Sequence, residues 1–252
     1  MDKWINKIHH GDCLELMKDI SDNSIDMILC DLPYGVTQCK WDIIIPFDEL
    51  WKQYLRIVKD TTPIVLFGAE PFSSQLRLSN LKMYKYDWIW EKSHATGFLN
   101  AYKQPLRTYE NICVFYKKQC VYNPEIKDKE KHKIRLSKKH KGVVSDNYGK
   151  YEKGVVKLPL DKTMPKNIIK FSRQTKKDNI HPTQKPVALY KYLIKTYTNE
   201  GMLVLDNCIG SGTTAIACEE LNRRWIGIEK EKKYVDLANE RLKNYRQQLR
   251  LF

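Results

Sequence analysis

The 252-residue sequence predicts an α/β protein with a doubly wound, mostly parallel sheet. Three observations lead there. Short apolar runs of strand length, "SIDMILC", "PIVLFGA" and "GMLVLD", are separated by segments with helical spacing. The runs are nearly continuous rather than alternating, which marks strands buried on both faces. The length suits one large domain, or one of about 200 residues that carries an insertion.

The elements follow in order. Leu14, Met17 and Ile20 lie at helical spacing after an Asp12-x-x-Glu15 pair with the form of a capping box, and "SDNS" then turns the chain into a strand over Ile25–Cys30. A second helix is expected from Phe47 to Val58, ending near "KDTTP", before the strand in "PIVLFGA". "YDWIW" and "NICVFYK" are further strand candidates. From Lys117 to Lys157 periodicity is lost. There Lys127, Lys129, Lys131, Lys133, Arg135, Lys138, Lys139, Lys141, Lys150 and Lys153 are interleaved with Tyr122, His132, His140, Tyr148 and Tyr151, as in an inserted, mobile segment. Order returns at "HPTQKPVALYKYLIKTYT", a helix with Pro186 in its first turn. A strand (Met202–Leu205), a Gly-rich turn, a helix (Thr213–Leu221), a strand (Trp225–Ile228) and a last helix complete a βαβα unit.

Composition narrows the function. Forty-four Lys and Arg against thirty Asp and Glu give a formal charge of +14. That excess favours a polyanionic partner, with nucleic acid ahead of an anionic membrane because no basic amphipathic anchor is visible. The seven cysteines are scattered without C-x-x-C spacing, so no metal site is expected and free thiols in a reducing cytoplasm are the simplest reading. The first residues lack the apolar core of a signal peptide, and no stretch reaches the ~18 apolar residues of a membrane span. A cytoplasmic protein is expected.

Two constellations carry chemistry. In "LVLDNCIGSGTTA", Gly210 and Gly212 let the backbone pass close to a ligand, and the helix start at Thr213 places free N–H groups beside it. Glu229, just past the next strand, is placed to accept hydrogen bonds from both ribose hydroxyls. Read as G-x-G-x-x-A with Ala215, the pattern also satisfies a dinucleotide fingerprint, so an NAD-dependent oxidoreductase is a rival. Against it, Asp206 precedes the glycines where a carboxylate would crowd a pyrophosphate.

The second constellation is "DLPYG". Pro33 stiffens the turn and restricts Leu32 to extended geometry. The Asp31 carboxylate and the Leu32 carbonyl can then accept two hydrogen bonds from one –NH₂ group, while Tyr34 offers a flat face for stacking. Acceptors that pull the protons of an exocyclic base amine out of the ring plane relocalise its lone pair and favour attack on an electrophile.

"DLPYG" resembles the D-P-P-Y motif of amino-methylating DNA methyltransferases, and "LDNCIGSGTT" resembles their D-P-F-x-G-S-G-T-T loop. Catalytic motif first, basic target-recognition segment in the middle and cofactor loop last is the circularly permuted order of the β class. The resemblance implies a Rossmann-like methyltransferase fold, S-adenosylmethionine as cofactor, double-stranded DNA as partner and flipping of the target base. It divides the chain into a catalytic half (1–116), a target-recognition segment (117–178) and a cofactor-binding half (179–252). It implies that Asp31, the Leu32 carbonyl, Pro33 and Tyr34 hold the amine, and that Asp206, Cys208, Gly210, Ser211, Gly212, Thr213 and Glu229 hold the cofactor. Asp12 and Cys13 would join them at the adenine, although Asp12 reads equally well as a helix cap. Thr183 and Lys185 of "HPTQKP" would approach the methionine end. Leu32 stands where the family has its first proline, and Asn207-Cys208 where it has Pro-Phe. Adenine N6 is expected over cytosine N4, because the family's cytosine enzymes more often carry Ser at the position of Asp31. Related enzymes often form homodimers and often accompany a restriction endonuclease; the sequence specifies neither partner.

Overall fold

The computed structural model describes residues 1–37, 39, 41–129, 159, 161–172 and 184–249. The chain forms two compact units, one of Met1–Asn123 with Asn167–Phe252 and one of Pro124–Lys166. The strands are β1 (Lys7–His10), β2 (Met27–Cys30), β3 (Ile64–Gly68), β4 (Tyr84–Thr96), β5 (Arg107–Phe115), β6 (Lys127–Asp128), β7 (Lys162–Thr163), β8 (Ile168–Phe171), β9 (Leu203–Asp206) and β10 (Arg224–Glu229). The helices are α1 (Cys13–Met17), α2 (Phe47–Ile57), α3 (Phe72–Ser79), α4 (Val187–Tyr197), α5 (Thr213–Glu220) and α6 (Lys232–Leu249).

In the larger unit eight strands pair in the order β1-β10-β9-β2-β3-β5-β4-β8. All neighbours are parallel except β5, which runs antiparallel to both β3 and β4. The doubly wound, mostly parallel sheet expected from the apolar runs is therefore present. Period-two alternation divides its side chains between two cores. Ile28, Cys30, Ile64, Leu66, Leu203 and Leu205 point to the face covered by Met17, Leu50, Tyr54 and Phe72. Met27, Leu29, Val65, Phe67 and Val204 point to the other, with Leu189, Leu193, Ala215 and Leu242. Helix α5 is buried at every residue from Thr213 to Cys218, and so shows no amphipathic face.

Strands β9 and β2 are neighbours, with Val204 opposite Met27 and Leu205 opposite Ile28. From β9 the chain winds outward to β10, and from β2 it winds the other way to β3. Such a switch point opens a crevice beyond the carboxyl ends of the strands. Asp206 and Asp31 stand at those two ends.

Several elements are additions to the sequence expectation. β1 has the pattern "KIHH", half exposed at the sheet edge, with no apolar run to announce it. α3 begins directly after Pro71. β8 lies within the 117–178 stretch yet pairs with β4, from Ile89–Ile168 to Lys92–Phe171. In the smaller unit β6 and β7 pair antiparallel, Lys127 with Thr163 and Asp128 with Lys162. Of the ten basic residues named in the central segment, Lys127 and Lys129 are described; the other eight, with His132, His140, Tyr148 and Tyr151, lie outside the described residues. Among the described residues no helix is long and apolar enough to cross a membrane.

Candidate active site

A cavity of about 550 Å³ opens at the switch point, and both constellations line it: Asp31, Leu32, Pro33 and Tyr34 on one side, Asp206, Cys208, Gly210, Ser211, Thr213 and Glu229 on the other. Its size suits a nucleoside-bearing ligand. Asp12, Cys13 and Lys185 line it too. One described residue expected here, Gly212, is not among them. Gly212, at φ 79°, sits at the start of α5, where an added Cβ would meet the Ala238 side chain of α6 at 3.2 Å. It serves close helix packing. Thr183 lies outside the described residues.

The acidic corner is dense with charge. Asp31 follows β2, and Tyr34 donates its hydroxyl to Asp31 Oδ1 at 2.6 Å while Lys185 Nζ reaches Oδ2 at 2.5 Å. Lys185 Nζ also lies 3.3 Å from Glu110 Oε2, and Lys92 Nζ donates to Glu110 Oε1 at 3.4 Å. This buried chain of alternating charges links β2, the segment before α4, β5 and β4. Burial pushes the Asp31 carboxyl up and the Lys185 charge pulls it down, leaving it above its ordinary value. Glu110 is also raised by burial, but Lys185 and Lys92 outweigh that and hold it below the usual range. Lys185 stays firmly protonated, since Asp31 and Glu110 overcome the cost of burying it. Glu110 was hidden from sequence reasoning inside an apolar strand, and its partners lie far away in the chain.

The turn after Asp31 is braced by Asp42, the residue that closes "DLPYGVTQCKWD". Its carboxylate accepts from the backbone N–H groups of Gly35 (2.9 Å), Val36 (3.0 Å) and Thr37 (2.7 Å). Burial alone would raise its pKa, yet these bonds leave it lowered. Tyr34 stacks on Phe72 with ring centroids 5.0 Å apart, which fixes one face of the ring. Among the described residues no hydrogen bond is made to the Leu32 carbonyl, although Leu32 itself is buried.

The glycine loop is held by backbone groups. Glu229 accepts from Gly210 N through Oε2 and from Glu231 N through Oε1, both at 2.9 Å. Gly210, at φ 51°, faces open space: an added Cβ would meet nothing nearer than a carbonyl oxygen at 4.0 Å. Asp206 is buried against the Thr214 hydroxyl and the Cys208 N–H, and burial pushes its carboxyl up to about 7. Asn207 accepts the Tyr54 hydroxyl of α2 at 2.6 Å, an anchor that a proline there could not provide. Arg241 of α6, a residue that sequence reasoning did not single out, donates to the Ser211 carbonyl and to Thr213 Oγ1, each at 3.0 Å, tying the loop to the last helix. Asp12 is the N-cap of α1, accepting from Leu14 N at 2.9 Å, and its second oxygen lies 3.3 Å from Lys230 Nζ. Glu15 pairs with Lys18 rather than closing the box.

Residues 25–240 match the N6/N4 methyltransferase family, a family of DNA methylases. The chain belongs to that family. Type II methyltransferase M.HpaI of Haemophilus parainfluenzae is 30% identical to the methylase over 250 residues, covering 92% of this chain and 72% of that protein. Type II methyltransferase M.HinfI of Haemophilus influenzae is 30% identical over 275 residues, covering 95% and 69%. Among solved structures, the M1.HpyAVI–SAM complex shares 26% identity and a TM-score of 0.61, covering 93% of this chain and 98% of that one. The cytosine-N4-specific PvuII DNA methyltransferase, at 16% identity, covering 92% and 84%, shares the fold with a TM-score of 0.66. Membership retires the NAD oxidoreductase. The turn Gly210-x-Gly212-x-x-Ala215 belongs to a methylase, and β1–β5 and β8, not strands after β10, complete its sheet.

Proposed function

We propose that the methylase transfers a methyl group from S-adenosylmethionine to the N6 amine of a flipped adenine at specific sites in double-stranded DNA. The observation that carries this reading is one cavity lined by Asp31 and Leu32 at the end of β2 and by the glycine loop at the end of β9. The residues present suit the cofactor. Gly210 leaves open space, buried Asp206 offers a carboxylate to a cationic ligand, and Glu229 keeps acceptor capacity on both oxygens beside the loop N–H groups. S-adenosylmethionine supplies an electrophilic methyl group when bound.

The chain's own residues do the rest. Asp31 and the Leu32 carbonyl accept hydrogen bonds from the two N–H groups of the amine and return its lone pair to nitrogen, and Tyr34, backed by Phe72, stacks on the base. For the amine to engage Asp31, Lys185 gives up its contact with Asp31 and closes on Glu110, whose Oε2 already lies 3.3 Å from Nζ. The raised Asp31 carboxyl is suited to take the proton that the methylated amine sheds. Residues 117–178 carry nineteen Lys and Arg against seven Asp and Glu, nearly all of the chain's +14, which supports this segment as the DNA-recognition part. Adenine over cytosine rests on the carboxylate at Asp31.

Transfer of tritiated methyl groups to unmethylated duplex DNA, followed by nucleoside analysis, tests the proposal. N6-methyladenine is the expected product. N4-methylcytosine would correct the base, and no transfer would remove the reading.

A further inference from the structure

The hairpin joining β4 to β5 stands out on the methylase surface. Because β4 runs parallel to the central strands and β5 alone is reversed, the hairpin tip lies at the carboxyl end of the sheet, the end where the cavity opens. Its base forms part of the cavity wall through Thr96, Arg107 and Tyr109. The pairing shifts register between Glu91 and Thr96, so the ladder is irregular at the base of the tip. A short 3₁₀ turn at Phe98–Asn100 orders it, with Asn100 N bonded to Gly97 O at 2.9 Å and Lys103 N to Asn100 O at 2.9 Å.

On that ordered tip Phe98, Leu99 and Tyr102 are 77%, 84% and 107% exposed, three large apolar side chains within five residues. A contiguous exposed apolar group of this kind marks an interaction site. Its surroundings select the partner. From Lys92 to Tyr109 there is no Asp or Glu, whereas Lys103 and Arg107 follow the apolar group. An apolar point on a purely cationic stem matches a polyanion with stacked flat faces inside it.

We infer that this hairpin is a wedge that enters the DNA duplex at the target base, its apolar tip filling the gap left when that base turns into the cavity and Lys103 and Arg107 holding the flanking phosphates. The inference rests on the DNA methylation reading above. Apolar side chains inserted between base steps offset the cost of unstacking, and an extruded base leaves such a gap. A wedge at the cavity rim also stands where it can block return of the base to the stack.

The test uses the full chain and the triple variant Phe98→Ser/Leu99→Ser/Tyr102→Ser, whose exposed positions contribute nothing to the core. Two duplexes carry the site that wild-type methylation has defined, one fully paired and one with an abasic position opposite the target. Replacing the target adenine by 2-aminopurine reports extrusion by fluorescence. The variant should lose the fluorescence rise on the paired duplex and transfer methyl groups about tenfold to hundredfold more slowly there. On the abasic duplex, where extrusion costs little, it should stay within about threefold of wild type, with unchanged S-adenosylmethionine affinity. Wild-type behaviour on the paired duplex would overturn the inference. So would equal losses on both duplexes. A loss that tracks dissociation of a wild-type dimer in sedimentation would instead assign the tip to self-association, and also overturns it. Failure of the wild-type protein to methylate any unmethylated duplex, so that no site can be defined, would break the function reading itself.

Discussion

The two walls of the cavity are built on opposite principles. The glycine loop at the end of β9 is satisfied by fixed groups: Glu229 by two backbone N–H donors, Asn207 by Tyr54, and Ser211 and Thr213 by Arg241. The acidic corner at the end of β2 is satisfied by other side chains, since both Asp31 oxygens are occupied by the tips of Tyr34 and Lys185. One wall can receive a ligand without rearranging. The other must exchange partners before it can hold an amine, and the alternating Lys92–Glu110–Lys185–Asp31 charges give it a place to send the displaced lysine.

The sharpest break between the walls is Asp31→Ala. It should leave S-adenosylmethionine affinity within about twofold, measured by calorimetry, and slow single-turnover methyl transfer by at least ~10³-fold, because it removes an acceptor matched to the reacting amine. A parallel loss of cofactor binding would show that the walls are not separable.

Glu110→Gln comes next. It strands Lys92 and Lys185 with less compensation, so chemical denaturation should show a loss of about 3 kcal/mol. Transfer should slow as well, because Lys185 no longer has a second carboxylate to move to. Combining it with Lys185→Met should restore part of the rate, a non-additivity that independent sites would not show.

Asp206 sharpens the contrast by pH. Burial lifts its folded value from 3.8 to about 7, so the stability it contributes is fully present below about pH 4 and is lost as pH rises through about 7. Binding of a cationic cofactor favours the ionised form and should strengthen across the same upper window. Asp206→Asn should flatten both profiles, seen in melting curves and in calorimetric titrations between pH 6 and 8 (about one unit either side of the midpoint). The smallest effect is at the cap: Asp12→Ala should cost about 1 kcal/mol in thermal unfolding through the lost Leu14 bond.

The sheet was legible wherever burial on both faces writes a continuous apolar run, as in Met27–Cys30, Ile64–Gly68 and Leu203–Asp206. β1 was not, because an edge strand with half-exposed histidines needs no such run. The two motifs of the cavity were legible because glycine spacing and a proline-stiffened turn are local features. Glu110, Lys92 and Arg241 were not, because their value arises only when β4, β5 and α6 bring them to the site. Gly212 shows the converse: its motif position is local, but its use is packing against Ala238.

The most direct measurement is a ternary structure of the methylase with the cofactor and a duplex carrying its site. The account predicts an extruded adenine whose N6 donates to both Asp31 and the Leu32 carbonyl at about 2.7–3.2 Å, with Lys185 withdrawn to Glu110 and the cofactor along the Gly210 loop. A base seated away from Asp31, or a cofactor in a different cavity, would contradict it.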